Sequence, residues 1–401
     1  MPVLVQKFGG SSVSTHESRQ IAIHRVLEAR AQGYDVVVVV SAMGRLGAPY
    51  ATDTLLDLIS RSGQLAKRDL DLVMSCGEII SAGVFLAELQ QHCPAAMLTG
   101  RQAGILTDTF HGDARITHVD PKRVRELLAS GRVVIVTGFQ GVSADGEITT
   151  LGRGGSDTSA VALGVALGAE AVVIYTDVDG IMTADPKLVP EAKVLPAVDY
   201  QEMLQMAYEG AKVLHSRAVE MAMHNNLPLI VRSLTGEHPG TLITTATSYE
   251  ARRSYPVVGV AHKVGLAQVS LQPDGKDPRF DCRLFVGLAE QGVSVDLINV
   301  SPKTKMFVVD AAEIEPVENV LQQNAASYDI RPGCCKVSVV GIGMRGIPGI
   351  MATLCRALRE ADVEILQTSD SHMTISCLID EQQLGAAVRS LHHHFRLTQL
   401  G

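Results

Sequence analysis

The chain has 401 residues, too many for one compact core and a fit for two or three domains. Its hydrophobic share of 46% is ample for burial, and a net charge of −8 with acidic and basic residues interspersed argues against nucleic acid as the main partner. Seven cysteines, odd in number and without a CxxC pair, speak against a disulfide framework and read as buried free thiols. No apolar stretch approaches the ~20 residues of a membrane helix, and the N-terminus lacks a charged segment followed by a long apolar one. A cytoplasmic protein with no membrane partner is therefore expected.

The first predicted strand, VLVQKF, runs straight into two glycines and two serines, which sets Lys7 beside Gly9, Gly10, Ser11 and Ser12. Such a junction suits a polyphosphate. Glycines let the backbone approach closely, consecutive N–H groups attract anions, and the lysine supplies a point charge. Val36 to Val40, Val133 to Val136 and Val172 to Tyr175 are short, continuous and β-branched, as in parallel strands covered on both faces. They alternate with helical stretches, so the class is α/β. Two further glycine-rich loops, Leu151 to Ala160 (LGRGGSDTSA) and Tyr175 to Pro186 (YTDVDGIMTADP), each follow an apolar run. Three phosphate-compatible loops on one sheet predict a nucleotide-using transferase.

Single residues in this stretch keep two readings each. Asp157 is an N-cap of a helix from Thr158 to Leu167, or a functional carboxylate, or both. Glu78, in the apolar setting VMSCGEII, is a first-turn helix residue or a carboxylate for an α-ammonium. Arg153 is a salt-bridge partner or a clamp that grips a carboxylate through two parallel hydrogen bonds.

Residues 1–245 read as one α/β domain and 246–256 as a polar linker. Two similar βαββα units follow, 257–334 and 335–401. The first has strands near Gly265 to Leu271, Val293 to Ile298 and Met306 to Val309, with helices from Pro278 and after Glu315. The second has strands at Lys336 to Val340, Val363 to Leu366 and Met373 to Leu378, with helices from Pro348 and from Glu381. Gly341, Gly343 and Gly346 spell GxGxxG there, with Glu364 about 20 residues on. The next two strands are too close together for a second crossover helix, so a tight strand-to-helix turn is expected instead of a dinucleotide site. The run His392, His393, His394 reads as the solvated end of the last helix, since consecutive helix positions cannot converge on one metal.

No GxxxxGK[ST] occurs. KFGGSS at Lys7, SAMG at Ser41, GE at Gly77, GRGGSDTSA from Gly152, TDVDGIMTADP from Thr176 and GAKVL at Gly210, in this order, resemble the aspartokinases over the whole chain. NVS at Asn299 to Ser301 and SDSH at Ser369 to His372 extend the resemblance to that family's paired ACT domains. The resemblance implies a three-layer αβα sandwich with a mainly parallel sheet, then two ferredoxin-like ACT units. It implies ATP and L-aspartate as substrates, Mg²⁺ with the nucleotide, and 4-phospho-L-aspartate as product. Lys7 and Asp157 would be catalytic, and Thr52, Glu78, Arg153 and Ser156 would surround the amino acid. Lys7, Gly9, Gly10, Ser41, Thr176, Asp177, Asp185, Lys187 and Lys212 would surround the nucleotide. Asp296, Asn299 and Ser301 would bind a feedback amino acid, with lysine, threonine and diaminopimelate all compatible. Ser216 departs from the family's usual proline. With no methionine between Met223 and Met306, a homodimer of one polypeptide is expected, joined through the ACT units. Rival readings are another kinase of the same fold, acting on glutamate, acetylglutamate, carbamate or UMP, and a regulatory paralogue without turnover.

Overall fold

Strand β1 (Val3–Phe8) lies inside an eight-stranded sheet, between β2 (Asp35–Val40) and β9 (Ala171–Thr176), both parallel to it. The computed structural model describes residues 1–211, 213–245, 256–272, 279–324, 327–342, 344 and 346–400. Its contacts fall into two compact units: Met1–Ile181, Val194–Ala207 and Lys212–Thr247, then Met182–Lys193, Tyr208–Ala211 and Ser248–Gly401.

In the first unit the sheet order is β10-β12-β11-β9-β1-β2-β6-β3. The outer members are β3 (Ala95–Leu98), β6 (Val133–Thr137), β10 (Ala197–Asp199), β11 (Leu229–Ser233) and β12 (Thr241–Thr244), and only the β11–β12 pair is antiparallel. The all-valine run of β2 is buried from end to end, which only a sheet covered on both faces allows. On one face α1 (His16–Ala31) buries Ala22, Ile23, Val26 and Ala29 and α4 (Cys76–Leu89) buries Ala82, Phe85 and Leu89, all in one cluster with Phe8 and Tyr175. A reciprocal pair of hydrogen bonds between Thr15 and Ser18 starts α1. On the other face lies α6 (Gly155–Leu167), where a methyl on Gly164 would meet Val172 of β9 at 2.7 Å. The three-layer αβα sandwich is thus the observed architecture.

A separate four-stranded sheet runs β5 (Ile116–Val119), β4 (Ile105–Thr107), β7 (Gln140–Ser143), β8 (Ile148–Thr150). The GRGGSD loop leaves from β8, so the three glycine-rich loops do not share one sheet as expected; two follow the large sheet and one follows the small. Helix α3 (Lys67–Met74) packs on β8 and passes through Ser75 into α4, forming a 23-residue helical segment apolar and long enough to cross a membrane. Its apolar face, however, is occupied by the core just described, with Ala82, Phe85 and Leu89 fully buried against the sheet.

The second unit holds an antiparallel sheet in the order β14-β15-β13-β16-β18-β17. These are β13 (Gly259–Gln272), β14 (Asp296–Val300), β15 (Lys305–Asp310), β16 (Ser327–Val340), β17 (Gln367–Asp370) and β18 (Thr374–Asp380). β13 and β16, at 14 residues each, are far longer than the sequence suggested. Gly259 to Lys263 pair with Val340 to Lys336, and after an irregularity Leu266 to Gln272 pair with Cys334 to Ser327. Gly265 sits at the break with φ +71 and takes the bend there. Two helices, here α9 (Phe280–Glu290) and α10 (Ile314–Asn324), close one core on Val269 and Phe307. Two more, α11 (Ile350–Glu360) and α12 (Leu384–His394), close a second on Val337, Val339 and Cys377. This is the ferredoxin-like plan expected.

Several smaller expectations change. The strand placed at Val363 to Leu366 begins at Gln367, because Val363 ends the turn after α11 by donating to the Leu358 carbonyl. Gly343 lies outside the described residues, as does the linker except Pro256. The strands after Gly341 pair antiparallel, as the rejection of a dinucleotide site required. His392 is not solvated. It is fully buried, its Nε2 2.9 Å from Thr183 Oγ1, and burial pushes its pKa down. All seven cysteines are free, but Cys76, Cys282 and Cys355 are exposed.

Candidate active site

The chain winds from β1 to β2 on one side and, later, to β9 on the other. The crevice at the carboxyl ends of such strands is where α/β sheets bind ligands. Alternation along β1 sends Phe8 to the α1 face, where it stacks on Tyr175 at 4.8 Å between ring centroids, and Lys7 to the α6 face. There the Lys7 ammonium stands 2.7 Å from Asp157 Oδ1, an ion pair by distance though off the line of a hydrogen bond. Both groups are nearly buried. Asp157 is not the N-cap of its helix. That position belongs to Gly154, held at φ +68 against the His215 ring, which makes Asp157 the third helical residue, after Ser156.

The loops after β1 and β2 zip together. Ser41 N–H donates to the Phe8 carbonyl at 3.1 Å and Gly44 N–H to the Gly10 carbonyl at 3.0 Å. A β-carbon on Gly10 would lie 2.6 Å from the carbonyl oxygens of both Ala42 and Gly44, so only glycine fits. Beyond β9, Thr176 donates to Asp177, and the Asp177 carboxylate meets the Arg45 guanidinium at 2.7 Å. Partial burial would raise the Asp177 pKa, but the Arg45 hydrogen bond and charge together with the backbone and Thr176 hydrogen bonds outweigh it and hold the carboxyl below its ordinary value. Arg45 directly follows SAMG and went unremarked in the sequence.

Glu78 lies in the first turn of α4, only 2% exposed. One oxygen accepts from Ala42 N–H at 3.1 Å; the other is buried without a partner. Gly77 makes this approach possible, since a methyl there would lie 2.8 Å from Ala42 Cβ and from the Tyr50 carbonyl oxygen. Burial pushes the Glu78 pKa up to about 8, against backbone hydrogen bonds that lower it. A buried carboxyl with one oxygen unpartnered can accept a further hydrogen bond or a cation. Arg153 is exposed and forms no ion pair among the described residues, and Thr52 opens α2 (Thr52–Ser62), a helix with no buried residue. Lys7, Gly9, Gly10, Ser41, Thr52, Glu78, Arg153, Ser156, Asp157, Thr176 and Asp177 all belong to the first unit.

Asp185 and Lys187 belong to the second unit, where the Asp185 carboxylate accepts from the Lys187 backbone N–H at 2.9 Å. Lys212 lies outside the described residues. Ser216 is the first residue of α8 (Ser216–His224), a position where proline is equally at home. Of the expected effector residues, Asp296 is already engaged: its Oδ2 is 2.5 Å from the buried Lys336 ammonium, which also meets Glu209 at 2.9 Å. Half-burial would raise the Asp296 pKa, but the hydrogen bond and charge of Lys336, with the Leu297 N–H and the Lys263 charge, together hold it below its ordinary value. Asn299 is exposed on the edge strand β14, and the Ser301 hydroxyl bonds the Thr304 carbonyl.

The amino acid kinase family profile matches residues 2–233, and an ACT domain profile matches residues 329–393. Aspartokinase 1 of Bacillus subtilis strain 168 is 42% identical over 404 residues, spanning 100% of both chains. The crystal structure of aspartate kinase from Synechocystis, 36% identical, covers 98% of this chain and 69% of its own, with a TM-score of 0.55. Escherichia coli aspartokinase III, solved with aspartate and ADP, shares the fold at a TM-score of 0.77 and 24% identity, with 98% of this chain and 99% of that one covered. A match in sequence along its whole length, with the kinase sandwich followed by ACT modules, means that this chain belongs to the aspartokinases of the amino acid kinase family.

Proposed function

We propose that this chain transfers the γ-phosphoryl group of ATP to the β-carboxylate of L-aspartate, giving ADP and 4-phospho-L-aspartate, the first step toward lysine, threonine, methionine and diaminopimelate. The observation that carries the reading is the Lys7–Asp157 pair at the carboxyl edge of β1, within the same unit as the orphaned Glu78 carboxyl. The β-carboxylate is ionised at neutral pH, so its oxygen attacks the γ-phosphorus without a general base while the bridging P–O bond breaks and ADP leaves. What the protein must supply is position and positive charge. Lys7 and the N–H groups of Gly9 and Gly10 face the phosphates, Ser41 flanks them, and Asp157 aims the ammonium. Glu78 takes the α-ammonium of aspartate and Arg153 its α-carboxylate, with Thr52 beside the substrate and Ser156 beside the transferred group. Thr176 and Asp177 serve the nucleotide; the family resemblance adds Asp185, Lys187 and Lys212. Among the described residues no three His, Cys, Asp or Glu side chains converge as a metal cage. Mg²⁺ enters with the nucleotide as the substrate MgATP.

Residues 1–245 form the catalytic domain in this reading, and 257–334 and 335–401 the two ACT domains, which join a cytoplasmic homodimer and bind an end-product amino acid near Asp296, Asn299 and Ser301. A hydroxamate assay for the acyl phosphate tests the reaction, with aspartate and glutamate run side by side. Signal with aspartate is expected; signal with glutamate alone overturns the substrate assignment.

A further inference from the structure

We infer that Asp71, a residue of α3 outside the substrate pocket, is the positioning residue that fixes the segment carrying Arg153 against the helix carrying Glu78. The inference rests on reading Glu78 and Arg153 as the amino-acid subsite. Asp71 is 2% exposed, and both its oxygens are used. Oδ1 accepts from the Thr150 hydroxyl at 2.5 Å; Oδ2 accepts from Gly112 N–H at 3.1 Å and lies 2.8 Å from His111 Nδ1. Two donors, the Thr150 hydroxyl and the Gly112 N–H, and the His111 ring nitrogen converge on this one carboxyl. An asparagine would turn an NH₂ toward at least one of them, so the geometry asks for a carboxylate.

The two ends of this tie lead to the two poles of the subsite. Toward the C-terminus, α3 passes through Ser75 in helical conformation into α4, so Glu78 lies seven residues and about 10 Å along the same helical path. From Thr150 the chain needs three residues to reach Arg153, and the backbone on the way is held. The Thr150 carbonyl accepts from Ala114 N–H, Leu151 N–H donates to the Phe139 carbonyl, and the Leu151 carbonyl accepts from Arg217. Arg217 in turn pairs with Asp113 at 2.7 Å, and a β-carbon on Gly152 would lie 2.4 Å from Asp113 Oδ1. Among the described residues Arg153 forms no ion pair or side-chain hydrogen bond that would orient it, so its placement rests on the backbone before it. Removing the Asp71 contact frees that backbone on one side while leaving Arg153, Glu78 and the phosphate loops intact.

The test uses the full-length enzyme with Thr150→Val, which removes the hydroxyl donor, Thr150→Ser, which restores it, Asp71→Asn, and Arg153→Ala as reference. We expect Thr150→Val and Asp71→Asn to raise the aspartate KM about tenfold with kcat and the ATP KM within about twofold, and Thr150→Ser to return it. A merely structural role would lower the active fraction, hence kcat, and leave KM alone. That result, or an aspartate KM unchanged in Thr150→Val while Arg153→Ala raises it, overturns the positioning role only. An unchanged KM in Arg153→Ala overturns the subsite reading and this inference with it. Should Asp71→Asn fail to fold, the Thr150 pair decides.

Discussion

Aspartate binding should release a proton from Glu78. Burial takes this carboxyl from its ordinary 4.5 to about 8, which corresponds to about 5 kcal/mol in favour of the neutral form in the empty site. An α-ammonium arriving at the orphaned Oε2 reverses that preference, because the charge is then paired. The ligand therefore binds the ionised minority. At pH 7 that is about one molecule in ten, and at pH 6 about one in a hundred. The aspartate KM should fall about tenfold per pH step from 6 to 8 and level off above, while kcat, read in the complex, stays nearly flat.

Glu78→Gln separates this account from others. The variant loses the pH dependence and, above pH 8, the charge-assisted hydrogen bond, so its KM there should exceed that of the unaltered enzyme by about 10- to 100-fold. Near pH 6 the two curves should approach each other. Stability moves the opposite way. The folded pKa is raised, so the group's contribution is full below about 4.5 and lost as pH rises through about 8. Glu78→Gln should therefore gain in Tm relative to the unaltered protein between pH 5 and pH 9 without substrate. An aspartate KM independent of pH from 6 to 8.5, with Glu78→Gln parallel to it, would refute the reasoning.

Lys7→Ala and Asp157→Ala should each lower kcat by about 10²- to 10³-fold with the aspartate KM little changed, as loss of one charge-stabilising group does; a change confined to KM would remove both from the transfer step. Gly10→Ala forces a methyl onto two carbonyl oxygens at 2.6 Å, so kcat/KM for ATP should fall at least about tenfold with circular dichroism unchanged. Unimpaired ATP use would show that the β1 and β2 loops part without consequence. Lys336→Met leaves Glu209 and Asp296 uncompensated, and denaturant unfolding should show a loss of about 3 kcal/mol, the low end for a buried pair because Asp296 is half exposed. A loss below about 1 kcal/mol would class the triad with surface pairs.

What was legible in the sequence is what short-range chemistry writes locally. Lys7, Gly9 and Gly10 announce themselves because a lysine and two glycines at a strand end have few other uses, and the valine runs because only a sheet covered on both faces hides them. The tertiary pairs were silent. Arg45 gives no sign that it will meet Asp177, 132 residues on, nor Asp296 that Lys336 will already hold it. The N-cap reading of Asp157 failed for a local reason: Gly154 at positive φ starts the helix three residues earlier, and that shift is what places the carboxylate over Lys7. Asp71 shows the same logic at longer range. No motif singles it out; in the fold, the Thr150 hydroxyl of β8, the Gly112 N–H and the His111 ring converge on it, and its carboxyl is buried. The recognisable motifs thus name residues proposed for both substrates, but not what holds those residues in place. The ties proposed to hold Glu78 and Arg153 apart are written only in how distant segments meet, and for that reason they are where this site is expected to be most sensitive to substitutions that no motif would flag.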